Sequence, residues 1–172
     1  MNATLLIALR VIHIFFGVFW AGTIFFMMGF LQPAVKRMGP EGGRVMQALA
    51  KRGYLTAMPV IALLTVLGGI GLMWMVSGGF SPEWMGSATG ITLSTGGLVA
   101  VIALLIGVFV MRPAALEAGA VGGRLARATD PAEQQALAGE LAGLQKRMAT
   151  GLHIVTMLLT VAVLAMAVGR YL

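Results

Sequence analysis

The sequence has no cysteine. Disulfides, thiolate metal sites and thiol nucleophiles are therefore excluded. Charge is scarce: 10% of the 172 residues are Asp, Glu, Lys or Arg, against about a quarter in a soluble domain. So little charge cannot cover a water-exposed surface. With 59% hydrophobic residues, the bilayer is the main solvent. No Asp, Glu or Lys lies inside the long apolar runs. This argues against proton pumping and ion-coupled transport, which rely on intramembrane carboxylates. There is no P-loop, no metalloprotease motif and no serine–base pairing in the spans, so hydrolase and ATPase chemistry has no footing. The first apolar run lacks a basic leader and is too long for a signal peptide.

Four apolar runs are present, at about 4–31, 54–76, 89–111 and 150–171. A spanning helix needs about 20 such residues. The sequence therefore predicts an all-α polytopic membrane protein, a bundle of four transmembrane helices in one membrane domain. Lys36, Arg37, Arg44, Lys51 and Arg52 follow the first run, and Arg112, Arg124, Arg127, Lys146 and Arg147 follow the third. With four spans these segments share a side. The positive-inside rule makes loops 32–53 and 112–149 cytoplasmic and puts both termini outside, in the inner membrane of a bacterium. The net charge of +6 reads as a topology signal and lipid-headgroup contact, not as a nucleic-acid surface. Asp130, Pro131 and Glu133 form a helix start. Leu137, Leu141, Leu144 and Met148 then recur at helical spacing, predicting an amphipathic helix over 131–148 that runs into the fourth span. A second helix is expected from Pro40. Pro59 predicts a kink one turn inside the second span.

The chain repeats itself. Pro33-Ala34, Gly39 and Gly42-Gly43-Arg44 match Pro113-Ala114, Gly119 and Gly122-Gly123-Arg124 at an offset of 80. Lys51-Arg52 matches Lys146-Arg147, and Leu63-Leu64-Thr65-Val66 matches Leu158-Leu159-Thr160-Val161, at an offset of 95. The difference of 15 is extra length in the third loop. Four matches in register point to duplication, hence two helical hairpins related by an axis along the membrane normal, a 2+2 bundle. Gly68, Gly69, Gly71, Gly96 and Gly97 are expected where helices approach closely.

The halves are not equal. At the repeat offset His13 meets Leu93, Arg10 meets Gly90 and Trp20 meets Ala100. The first span also holds Phe15, Phe16, Phe19, Phe25, Phe26 and Phe30, six of the eight phenylalanines. Spacings of three, four and three put Arg10, His13, Gly17 and Trp20 along one helix face. An ionisable group at the depth of His13 is costly and usually functional, and a neutral imidazole there suits haem iron as an axial ligand. Gly17 would leave room for the macrocycle, with Phe16 and Trp20 packed on it. Arg10 and Arg170 would meet the propionates, and Met166 falls at the depth of a sixth ligand. The alternative for His13 is a hydrogen bond to a neighbouring helix, and for Arg10 snorkelling to the headgroups. His153 lies about 20 Å from His13 along the bilayer normal, by helical rise, so the two cannot clamp one haem. Met73, Met75 and Met85 near the outer surface offer thioethers for Cu(I).

The stretch from Arg10 through Gly22, with His13, Trp20 and Gly22, resembles the first span of CopD-like copper-resistance membrane proteins. It is also similar to a group of small, largely uncharacterised four-helix membrane proteins. Leu64 to Trp74, Ser77-Gly78-Gly79-Phe80 and Met166 to Leu172 resemble that group too. A more distant similarity is to the HemJ-type protoporphyrinogen oxidase, which has a first-span His followed by Trp and Gly and is associated with haem b. That resemblance implies a haem b ligand at His13. The same family carries a lysine in a later span, which this chain lacks, and the departure argues against the oxidase activity. The CopD resemblance implies copper handling. The functions expected are thus haem b binding for electron transfer or a redox step, a cofactor-free accessory subunit of a larger respiratory or photosynthetic membrane complex, and copper binding or transport; the partners expected are the lipid bilayer and a larger membrane complex or a homo-oligomer.

Overall fold

The computed structural model describes residues 2–172, with Pro40 described by its backbone alone. Four helices are long and apolar enough to cross a membrane: α1 (Ala3–Arg37), α3 (Tyr54–Val76), α5 (Ala88–Leu125) and α6 (Pro131–Gly169). Two shorter helices, α2 (Pro40–Lys51) and α4 (Pro82–Met85), lie between them. The protein is an all-helical four-helix membrane bundle. Helix α1 packs most extensively on α3, and α5 on α6. Narrower contacts between α3 and α5, and between α1 and α6, join the two hairpins.

The shared core combines Trp20, Ile24 and Met27 of α1 with Ala62 of α3, Ala100 and Ala103 of α5, and Leu152, Val155, Leu159 and Ala162 of α6. Lipid supplies no hydrophobic drive between helices, so close van der Waals packing over small residues must hold such a bundle. Gly68, Gly71 and Gly96 sit at such crossings: an added Cβ would press on His13, Leu9 and Ala165. Gly97 does not, having open space around it. Phe15, Phe19, Leu67, Leu98 and Leu164 point outward, as a lipid-facing surface requires.

The duplication extends to the backbone. Each odd spanning helix widens into one π turn, Met27–Leu31 in α1 and Gly107–Met111 in α5, again 80 residues apart. Pro33 and Pro113 explain both. A proline ring inside a helix collides with the carbonyl four residues back. Gln32 and Arg112, one residue earlier, instead bond the carbonyls of Met27 and Gly107, five residues back, and the wider turn makes room for the ring.

The halves part at glycine. Gly39 adopts φ 59°, a left-handed backbone that glycine tolerates; the chain turns there and α2 starts at Pro40. Its counterpart Gly119 stays helical, so α5 runs on to Leu125. Gly53, at φ 89°, separates α2 from α3. Its counterpart is Met148, and there the amphipathic segment from Pro131 and the fourth span form one 39-residue helix. Asp130 caps it, accepting from the Ala132 N–H at 3.2 Å.

Pro59 lies within α3, which runs unbroken from Tyr54 to Val76. Its missing N–H would have bonded the Leu55 carbonyl. Arg112 of α5 fills that role, its Nε donating to Leu55 O at 3.1 Å. A helix defect in one hairpin is thus satisfied by a side chain of the other.

Candidate functional site

The first turns of α1 start at Asn2, whose side chain accepts from Thr4 and Leu5 N–H groups. Three turns on, His13 faces α3. Its Nδ1 lies 2.7 Å from the carbonyl oxygen of Thr65. A carbonyl only accepts, so Nδ1 carries the proton. In the neutral ring the lone pair is then on Nε2. Nε2 makes no hydrogen bond, yet among the described residues no buried side-chain nitrogen or oxygen lacks a partner; this nitrogen reaches the molecular surface.

Two glycines of α3 make the seat. A Cβ at Gly68 would approach the His13 backbone nitrogen to 3.2 Å, and one at Gly69 would meet ring Cε1 at 2.9 Å. Thr65 itself is held by its hydroxyl, which donates to Ile61 O at 2.9 Å. The imidazole is therefore fixed in position and tautomer by one helix partner, as a metal-bound histidine is by its outer-shell carbonyl.

Gly17 and Trp20 share the inward face with His13, but neither opens a space. The gap at Gly17 is closed by Thr65, whose Cγ2 would stand 3.3 Å from an added Cβ. Trp20 is buried in the core between the hairpins. Arg10, about 60° round the helix from His13, lies on the outer flank with Val11, Ile14 and Phe15 along a shallow open groove. Met166 packs near Gly96 of α5, its Cγ 3.7 Å from where a Cβ would be, and no hydrogen bond joins it to His13. Arg170 is exposed and stacks over Tyr171, 5.0 Å from the ring centre. His153 is exposed on α6. Of the residues read from the sequence, the structure brings together His13 and Gly17, both against Thr65.

As a haem site these residues fit one axial bond, from Nε2, and do not enclose a macrocycle. The outer methionines diverge: Met73 and Met75 stand about 200° apart round α3, and the Met73 sulfur lies 4.0 Å from the Ser94 hydroxyl, which donates to the Gly90 carbonyl at 2.6 Å. Among the described residues no group of three or more His, Asp or Glu could hold a metal ion. Sequence reasoning placed Gly69 at a helix crossing but missed Thr65 and Arg112 as partners. The signals were present, an isolated His and a Pro four residues after Leu55, but the facing helix was not.

Compared with protein-family models, curated proteins and solved structures, the chain matches none.

Proposed function

We propose that this membrane bundle binds one haem b through Nε2 of His13, for electron transfer or a redox step. The bond from His13 Nδ1 to the Thr65 carbonyl carries the reading. It leaves a single oriented lone pair at membrane depth, where an ionisable group is costly unless used. The haem would supply a one-electron couple when bound. The protein's part is to hold the imidazole: Thr65 fixes the proton on Nδ1, and Gly68 and Gly69 give the ring its seat. Arg10, one turn from His13 on the same helix, is the cation that would meet a propionate. His13 would hold the iron, and Met166 is the residue to examine as a second ligand.

An absorption spectrum of the protein purified from haem-replete cells tests this. The expected result is a Soret band that His13→Leu abolishes in a folded protein. A folded wild type without the band, or a variant that keeps it, would sink the idea.

A second reading is a cofactor-free accessory subunit of a larger membrane complex or a homo-oligomer. The closure of Gly17 by Thr65 favours it, because a packed crossing leaves His13 acting as a hairpin lock. Native purification discriminates: a lone monomer with a haem spectrum rules it out. Copper binding is the weakest of the three readings, since the two methionines of α3 face different ways.

The bilayer is the bacterial inner membrane, with the termini outside and the segments 32–53 and 112–149 cytoplasmic. The support is that ten of the twelve Lys and Arg residues lie in those segments. Because native cysteine is absent, single cysteines at Ser81 and Ala138 report sidedness cleanly. Labelling from outside should reach position 81 and spare position 138.

A further inference from the structure

At the basic end of the second hairpin, a groove runs between α5 and α6. Ile106 and Val110 form one wall, Gly151 and Ile154 the other, and Lys146 and Arg147 stand at its mouth. Gly143 also borders it, and a Cβ there would meet nothing within 4 Å. The space beside Gly143 is open, whereas at Gly151 the Met111 side chain closes the floor.

The two bases are free. The ion pair found among the described residues is Arg44 with Glu41, in the other hairpin. Lys146 and Arg147 make no hydrogen bond there either. Glu140 is the nearest acid before them on α6 and forms no ion pair with them. Both bases sit at the entrance of the fourth apolar run, the level of lipid headgroups. Ile154 lies about two turns deeper.

The first hairpin provides a built-in control. Lys51 and Arg52 repeat the charges at the equivalent positions, but the residues that line the groove are not repeated. Phe26 and Phe30, stacked with centroids 6.0 Å apart, stand where the second hairpin has Ile106 and Val110. Ala48 and Thr56 stand where it has Gly143 and Gly151. Charge is common to both halves, whereas charge above an apolar slot belongs to one.

We propose that this groove holds one anionic phospholipid of the surrounding bilayer. An acyl chain lies along Ile106, Val110 and Ile154, and the phosphate meets Lys146 and Arg147. Charge complementarity selects the headgroup, and the apolar wall of Ile106, Val110 and Ile154 takes the chain. The site is independent of His13, which lies toward the opposite end of the bundle.

Native mass spectrometry of the delipidated full chain tests this, after addition of phosphatidylglycerol or of phosphatidylcholine with the same acyl chains. The expected result is one phosphatidylglycerol retained per chain, at least fivefold over phosphatidylcholine. Lys146→Gln/Arg147→Gln should reduce retention at least fivefold. Gly143→Leu, which narrows the mouth of the groove and keeps the charges, should do the same. Lys51→Gln/Arg52→Gln should leave retention unchanged. Circular dichroism checks the fold of each variant; if Gly143→Leu is unfolded, the charge variants at exposed positions decide. Equal retention of the two lipids overturns the proposal. So does an equal loss in the Lys51/Arg52 variant, which marks a general basic surface. A dimer in place of the lipid adduct, lost in Gly143→Leu, assigns the groove to a second copy and overturns it as well.

Discussion

In the first hairpin, position 13 is a histidine bonded to Thr65 and seated on Gly68 and Gly69. In the second hairpin the same register holds Leu93, seated on Gly169. Both hairpins close through a side chain resting on glycine, though at different registers: Gly68 and Gly69 correspond to Val163 and Leu164, and Gly169 to Trp74. What differs is the chemistry of the resting side chain. A leucine in this place contributes packing alone, while a histidine contributes packing and an oriented lone pair. The comparison separates scaffold from site: the residues present twice build the bundle, and those present once are candidates for function.

The comparison is broken most severely at Gly42. An added Cβ would run into the Val35 carbonyl oxygen, because α2 folds back across the end of α1. At the counterpart Gly122 the nearest atom is Gln47 Nε2, at 3.8 Å. Gly42→Ala should cost about 3 kcal/mol or more, and Gly122→Ala close to nothing. Thermal unfolding in detergent, followed by circular dichroism, measures both.

The next effect concerns Arg112. Its Nε is the donor to the carbonyl that Pro59 frees, so Arg112→Met should cost about 1.5 kcal/mol. Pro59→Ala restores a helix N–H for Leu55, and Arg112→Met in that background should cost much less. The first hairpin has Gln32 in the register of Arg112, and α6 has Ile154 in that of Pro59. Gln32→Met should therefore show no such dependence. A double-mutant cycle reads the coupling.

Gly17 and Gly97 share a register and give a smaller contrast. A Cβ at Gly17 meets Thr65 at 3.3 Å, and one at Gly97 meets nothing within 4 Å. Gly17→Ala should be about 1 kcal/mol less stable than Gly97→Ala, the lower end of overpacking costs. Equal stabilities would mean that the α1–α3 crossing yields freely. An effect of similar size on stability is expected for His13→Leu, which copies the second half. It loses one hydrogen bond, worth about 1 kcal/mol, measured in the same unfolding experiment.

Much of the fold was legible because hydropathy, proline and capping act locally. The four spans, the duplicated hairpins and the Asp130 cap follow from residues close together in the chain. The reading was less complete wherever the decisive neighbour belongs to another helix. Gly17 looked like an opening because it lacks a side chain, but Thr65 of α3 fills the space. Arg10 looked aligned with His13 because three residues make nearly one turn, yet the remaining 60° puts it on the outer flank. The lone pair on His13 Nε2 could not be inferred until Thr65 was placed beside Nδ1. The two π turns likewise escaped, though the prolines that cause them had been matched.

Ligation at His13 is tested most directly by removing the imidazole and giving it back. His13→Gly should lose the Soret band of the purified protein, and millimolar imidazole should restore it, while Leu93→Gly leaves it unchanged. A band that persists in folded His13→Gly, or a folded wild type that never shows one, would contradict the assignment of this histidine as a haem ligand.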